Sequence, residues 1–344
     1  KEIVRRLDKA NTITLLGANI ESLEVASTLR KEYPHLKINI VDENETLATE
    51  VRFGQTVSEA LIDLHKKNGV NFNFEGEIER FNQDPKVKEV KEVVFKNGKK
   101  LKTDLVLYFP NNYLANTEWM VEGDNTDSLE FNEMAKVKTD FHQRTDHKRI
   151  FAGGDCASSL YFSDGSRLAS NSWYVAYHQG VIAALNILAL KIPYTATPFF
   201  QTEQYNQILR YSGQTENYYE VFIDGDVSKW DFIAYYAKMN GEISAALATD
   251  SRRKDILVIN EALRLQLMPD IDEIKDKSET IRTIERAIRE SQRSGCFMDL
   301  ISEANDRYFP HEILWINRDP SDKYFSSFAD PKAPMGPNEV KDNE

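Results

Sequence analysis

Cysteine is almost missing from this chain of 344 residues, and cysteine pairing is missing altogether. Cys156 and Cys296, the only two, stand 140 residues apart with no C-x-x-C spacing. That excludes a disulfide framework and argues against a zinc or redox-dithiol centre. A reducing compartment is the default. Methionine is absent until Met120, and no signal or transit pattern precedes the first strand, so Lys1 reads as an internal residue of a longer polypeptide. No apolar run approaches the roughly 18 residues of a membrane span. Positive charge is in deficit: 43 Lys and Arg against 55 Asp and Glu leave a net charge of −12. This disfavours non-specific binding to nucleic acid or an anionic membrane and leaves small molecules or proteins as partners. What is there is ordinary: 41% hydrophobic and 28% charged residues, in a chain long enough for about two or three domains with full cores.

Glycine is missing where its absence matters most. Thr12-Ile13-Thr14-Leu15-Leu16 is the β-rich apolar run a buried parallel strand needs, and it meets Gly17 and then a helical pattern, Leu23, Val25, Ala26, Leu29. Ile38-Asn39-Ile40-Val41 predicts the second strand, ending at Asp42, 25 residues after Gly17. Strand, glycine turn, helix, strand and terminal acid are the layout of a dinucleotide site. Gly17 would turn at the phosphates, and Asp42 would take the adenosine ribose hydroxyls, favouring NADH over NADPH. Yet in place of G-x-G-x-x-G the turn reads Gly17-Ala18-Asn19-Ile20-Glu21-Ser22. The second glycine of that pattern lets backbone approach the pyrophosphate, and the third lets helix pack on strand. Asn19 is expected to accept the turn's backbone angles, since Asn reaches positive φ more readily than most residues, while its side chain takes the phosphate's space. Glu21 adds negative charge beside an anion site at a helix N-terminus. NADH binding is therefore weakened, or the βαβ unit is kept for packing alone.

Further along, Val57 to His65 predicts a helix and Lys96-Asn97-Gly98-Lys99 a two-residue hairpin turn. Thr145 to Asp155 reads TDHKRIFAGGD, an apolar strand, Ile150-Phe151-Ala152, running into Gly153-Gly154-Asp155. Glycine lets such a backbone approach a cofactor, and a carboxylate gives a buried hydroxyl its partner. A helix then begins near Ser172, with Trp173 close to its start, and runs on through Val181 to Leu190. Strands around Val221-Phe222-Ile223, Phe232 to Tyr236 and Ile243 to Ala248, with turn signals Asp224-Gly225 and Asn240-Gly241, suit an antiparallel sheet; a helix from Asp255 to Gln266 follows.

The NAD-type unit, the T-x4-I-F-A-x-G-D segment, the W-x2-A-x2-Q-G helix from Trp173 to Gly180, and the stretch from Thr197-Pro198-Phe199-Phe200 to Asp226 occur in that order. From about Lys1 to Pro269 the chain resembles the FAD-dependent pyridine-nucleotide oxidoreductases, in their apoptosis-inducing-factor-like and Rieske-type ferredoxin reductase branch. The resemblance implies an α/β fold. Residues 1–112 would be a Rossmann-like NAD domain, 113–195 the second half of a split FAD domain, 196–270 a C-terminal α+β domain with an antiparallel sheet, and 271–344 a helical and extended tail. It implies FAD, with Gly154 and Asp155 at the ribityl chain and Trp173 beside the isoalloxazine, where the helix N-terminus would face the flavin pyrimidine. Gly17 and Asp42 would serve NADH, and Glu24 would hold the nicotinamide amide. FAD would also need an N-terminal flavin half ahead of Lys1, with its own glycine motif. The implied activity is hydride transfer from NADH to flavin N5 and electron delivery to a one-electron or quinone-like acceptor, in mitochondria; the residues alone leave a cytoplasmic or cytoskeletal location open.

The chain departs from this pattern at Leu101 to Asn111, LKTDLVLYFPN, where Tyr108-Phe109 replace glycines and their bulk is expected to fill part of the nicotinamide pocket. The His-Glu pair that related disulfide reductases use for thiol chemistry is excluded, because no His occurs between His178 and His311. Beyond Pro269, Ile281, Ile284, Ala287 and Ile288 predict a one-sided helix with Ser278 and Glu279 near its cap and Gly295 as its stop. The aromatics and prolines after it, from Tyr308-Phe309-Pro310 to Pro337, suit docking on a protein partner, up to a large assembly. Two functional readings follow: an FAD-containing NADH oxidoreductase, or a catalytically degenerate homologue serving as a structural subunit.

Overall fold

The computed structural model describes residues 2–111, 113–120, 129–168, 170–214 and 218–294. The helix stop at Gly295, Cys296 and the aromatic tail lie outside the described residues. Contacts divide the chain into one unit of Lys1–Leu114 with Thr197–Ile288, and a second of Ala115–Ala196 with the chain from Arg289. Residues 197–288 thus share a unit with residues 1–114.

The first unit opens with α1 (Glu2–Leu7), β1 (Thr12–Leu16), α2 (Ile20–Glu32), β2 (Lys37–Val41), α3 (Glu50–Phe53), α4 (Gln55–Lys67) and β3 (Val70–Asn73). Then come β4 (Ile78–Gln83), β5 (Val90–Phe95), β6 (Lys100–Lys102) and β7 (Leu105–Tyr108). A four-stranded sheet in the order β3-β2-β1-β7 is parallel throughout. Its centre is apolar because strands covered on both faces have no solvent side for polar residues; Ile13, Leu15 and Ile38 are wholly buried. Leu23 and Ala26 of α2, three apart, put one helical face on this sheet, and burying one such leucine stabilises by about 2 kcal/mol. β4, β5 and β6 form a separate antiparallel sheet. The predicted Asn97-Gly98 turn joins β5 to β6, with Gly98 at φ +81.

In the second unit, β8 (Val137–Thr139) pairs parallel with β9 (Ala157–Leu160), which pairs antiparallel with β10 (Arg167–Leu168); α5 (Trp173–Ile187) follows. The strand predicted at Ile150-Phe151-Ala152 is a single bridge between Phe151 and Arg144. Thr145 is the reason: its hydroxyl donates to the Ile150 carbonyl at 2.9 Å and accepts from the His147 amide at 3.2 Å, curling the segment into a loop. Apart from His178, helix α5 holds no acidic or basic side chain. Val175, Gln179 and Asn186 are buried, while Trp173, Tyr177, Val181 and Ile187 are exposed on the opposite face.

The chain returns to the first unit as β11 (Phe199–Gln204), β12 (Gln207–Gly213), β13 (Glu220–Asp226), β14 (Asp231–Ala237) and β15 (Ile243–Thr249), followed by α6 (Arg253–Arg264), α7 (Ile271–Lys275) and α8 (Ile281–Ser294). These strands make the expected antiparallel sheet, in the order β11-β12-β15-β14-β13. One hydrophobic core unites it with the parallel sheet: Ile13, Leu23 and Phe53 belong to the same cluster as Phe232, Tyr236 and Leu247. The Tyr236 hydroxyl donates to the Phe53 carbonyl at 2.9 Å, so the buried phenol is satisfied across that core. Helix α8 starts later than Ser278, at Ile281, where the Thr283 hydroxyl accepts from the Thr280 N–H and donates to the Thr280 carbonyl. Among the described residues no helix is long and apolar enough to cross a membrane.

Candidate functional site

The turn after β1 is where a dinucleotide's pyrophosphate would meet helix amides, and the amides of Gly17, Ala18, Asn19 and Ser22 each have a partner within the chain. Gly17 N–H donates to the Val41 carbonyl at 2.8 Å. Ala18 N–H donates to Asp42 Oδ2 at 2.6 Å. Asn19 N–H donates to Ser22 Oγ at 3.2 Å, and Ser22 N–H to Asn19 Oδ1 at 3.1 Å, a reciprocal capping box at the start of α2. The other end of the Asn19 side chain, Nδ2, donates to the Phe109 carbonyl at 3.2 Å. Asn19 sits at φ −115 in extended backbone, so the expected use of its tolerance for positive φ does not arise. It caps the helix with its side chain instead. Gly17 does need glycine: at φ +101, an added Cβ would stand 1.8 Å from the Phe109 carbonyl oxygen.

Asp42, the expected ribose ligand, is buried and fully engaged. Its Oδ2 accepts from Ala18 N–H and from Asn111 Nδ2 at 3.1 Å, and its Oδ1 accepts from the Asn44 amide at 2.9 Å and Asn44 Nδ2 at 2.7 Å. Glu24 faces β11 of the same unit, where the Thr202 hydroxyl and the Glu203 amide meet its carboxylate. Burial, the largest influence, pushes its carboxyl above the usual range; Glu21 adds to this, while Thr202 and Glu203 oppose it. Tyr108 does not fill a pocket, being 72% exposed; Phe109 is the residue packed on the core. The helix N-terminus is thus capped by Asn19 and Ser22 of the chain itself, which leaves fewer amides of this turn for a dinucleotide pyrophosphate.

The turn at Gly153-Gly154-Asp155 differs in kind. Gly154 lies at φ +78, and a Cβ there would press to 3.3 Å on Ala176 of α5. Its N–H donates to Gln179 Oε1 at 2.7 Å. Gln179 is buried, and its Nε2 donates to Ser159 Oγ at 3.1 Å; that hydroxyl donates in turn to Gln143 Oε1 at 2.8 Å and accepts from the Thr139 hydroxyl at 2.9 Å. This buried network holds the turn from the side of the protein. Asp155 is exposed, an acceptor open to ligand hydroxyls, and Trp173 is 79% exposed at the first position of α5. Close backbone approach, a clamped turn and an outward carboxylate fit the ribityl side of a flavin. The structure therefore brings Gly154 and Asp155 together in one turn, places Trp173 in the same unit, and puts Gly17, Glu24 and Asp42 in the other. Sequence reasoning missed Gln179 and Asn111 as the groups that lock these turns. Both lie inside quoted segments, but spacing alone does not tell a clamp from a surface amide. Among the described residues there is no cluster of potential metal ligands.

A sequence profile described as pyridine nucleotide-disulphide oxidoreductase matches residues 1–180, more than half of the chain. The chain belongs to the pyridine nucleotide-disulphide oxidoreductase family. Within it, the chain is similar to human apoptosis-inducing factor 3, 28% identical over 245 residues that make 71% of this chain and 39% of that protein. It is also similar to putidaredoxin reductase CamA of Pseudomonas putida, 27% identical over 257 residues, 73% of this chain and 56% of that one. The chain thus spans about half, or less, of the length of these curated relatives. The fold is shared with the ferredoxin reductase for the CYP199A2 system from Rhodopseudomonas palustris: TM-score 0.72 at 22% identity, covering 82% of this chain and 67% of that one. It is shared too with the water-forming NADH oxidase from Lactobacillus brevis bound to NADH, at TM-score 0.66 and 14% identity, over 79% and 61% of the two chains. Membership and fold agree with the apoptosis-inducing-factor-like and ferredoxin reductase branch.

Proposed function

We propose that this chain is part of a flavin-binding member of the pyridine nucleotide-disulphide oxidoreductase family in which dinucleotide entry is closed. On this reading the whole protein is a catalytically degenerate homologue and serves as a structural subunit of a protein assembly. The carrying observation is the turn at Gly17 to Ser22. The Ala18, Asn19 and Ser22 amides are engaged within the turn, and the Asp42 carboxylate is taken up by Ala18, Asn44 and Asn111, so a pyrophosphate meets fewer free donors and a ribose meets an acid already bonded. FAD is retained at Gly154 and Asp155, supplying redox chemistry where bound and completed by a flavin half from outside these residues. Docking on the partner runs through the C-terminal tail, and a mitochondrial address belongs to the same proposal.

A second reading, an NADH oxidoreductase passing electrons through flavin to an acceptor, is favoured by the intact Gly154-Asp155 turn and by the redox names of the relatives. Anaerobic visible absorbance of the full-length protein, before and after NADH and then NADPH, separates the two. The expected result is a flavin spectrum that stays oxidised. Bleaching by NADH overturns the degenerate reading in favour of the reductase, and an absent flavin spectrum removes the flavin clause.

A further inference from the structure

Lys136 is a buried charge that nothing in the sequence singled out. It immediately precedes β8, and the parallel register that sets Val137 beside Ala157 brings it alongside Asp155 and Cys156, which immediately precede β9. Only 2% of Lys136 is exposed. Its ammonium donates to Asn171 Oδ1 at 2.7 Å, the one hydrogen-bond partner it has among the described residues, and it is attracted by the charge of Asp155. Burial pulls the amine below its ordinary range, while Asp155 and then Cys156 oppose that pull. Lysine is almost never fully buried unless paired, because desolvating an ammonium is costly.

We propose that Lys136 is a positioning residue of the flavin turn, tethered by Asn171 and fixing the Asp155 carboxylate as an acceptor for the hydroxyls of a flavin nucleotide. The proposal rests on the flavin clause of the functional reading above. A bound cofactor that displaces water from the turn strengthens the attraction between Lys136 and Asp155, since the local dielectric falls. The ammonium also adds a positive charge to the flavin turn, which by longer-range attraction would favour reduced, anionic flavin over oxidised.

The test is FAD binding by the full-length protein, read by quenching of flavin fluorescence, together with the flavin midpoint potential. Lys136→Met is expected to weaken FAD at least tenfold and to make the potential more negative, with circular dichroism unchanged; Lys136→Arg should recover most of the affinity. In an Asp155→Asn background, Lys136→Met should cost much less, because the lysine acts through that carboxylate. Should Lys136→Met not fold, Asn171→Leu, which removes the tether, is expected to weaken FAD in the same direction. Wild-type affinity and potential in the folded variants, or losses that simply add to that of Asp155→Asn, overturn the proposal alone. A wild-type protein that binds no FAD overturns it together with the flavin clause.

Discussion

At the scale of single residues, the decisive chemistry is what each side chain is already bonded to. Gly17 combines positive φ with a carbonyl where its Cβ would stand. Gly17→Ala is therefore expected to destabilise the fold by about 3 kcal/mol through strain and overpacking, seen as a lower urea midpoint. His65 is wholly buried, with Nε2 2.9 Å from Gln204 Oε1 and the Tyr205 hydroxyl 3.3 Å from Nδ1. Burial, partly offset by Gln204, lowers its pKa from 6.5 to about 4. The unfolded chain then binds more protons between those values, so stability is full above pH 6.5 and declines as pH falls towards 4. The loss attributable to His65 reaches about 3 kcal/mol, and His65→Gln should flatten that part of a urea-midpoint profile. Glu24 works in the opposite sense. Its raised carboxyl favours the folded state only while protonated, and that contribution is lost as pH rises through the folded value. Glu24→Gln should accordingly raise the urea midpoint at pH 7, with the gain shrinking towards pH 4.

At the scale of elements, the turn between β1 and α2 tests whether closure is caused by the residues named. Replacing Asn19 and Ser22 together by glycine removes the capping box, at a cost of about 1 kcal/mol, and frees two amides. The double variant is expected to gain NADH binding measurable by calorimetry where the parent shows none; an unchanged blank would assign closure to Asp42 and Asn111 instead. The elements themselves were legible in the sequence. The strand at Thr12 to Leu16 and the Asn97-Gly98 hairpin follow from periodicity and turn chemistry, which are local. Ile150-Phe151-Ala152 looked like a strand by the same local rule and is a loop, because one threonine hydroxyl outcompetes a ladder. Illegible were the long-range partners: Asp42 with Asn111, Gly154 with Gln179, Lys136 with Asp155. Each joins residues about 20 to 70 positions apart, and no spacing pattern specifies which distant amide a carboxylate will meet.

At the scale of the whole molecule, α5 stands out as a helix without Asp, Glu, Lys or Arg whose Trp173, Tyr177, Val181 and Ile187 are exposed among the described residues. An apolar stripe of this kind promotes association. The 344-residue chain is expected to elute in size-exclusion chromatography at a concentration-dependent volume, and Trp173→Glu with Tyr177→Glu should return it to the volume of a monomer. If the paired substitution leaves elution unchanged, association lies elsewhere. The shared core of the first unit carries a different consequence, one of timing on the ribosome. Residues up to Leu114 supply the parallel sheet, but Phe232, Tyr236 and Leu247 complete the same core only after the 82 intervening residues and most of the second sheet have been made. At about 5–20 residues per second, the nascent parallel sheet waits roughly 7 to 27 seconds for the residues that complete its core, an interval in which its apolar surface is open to chaperones.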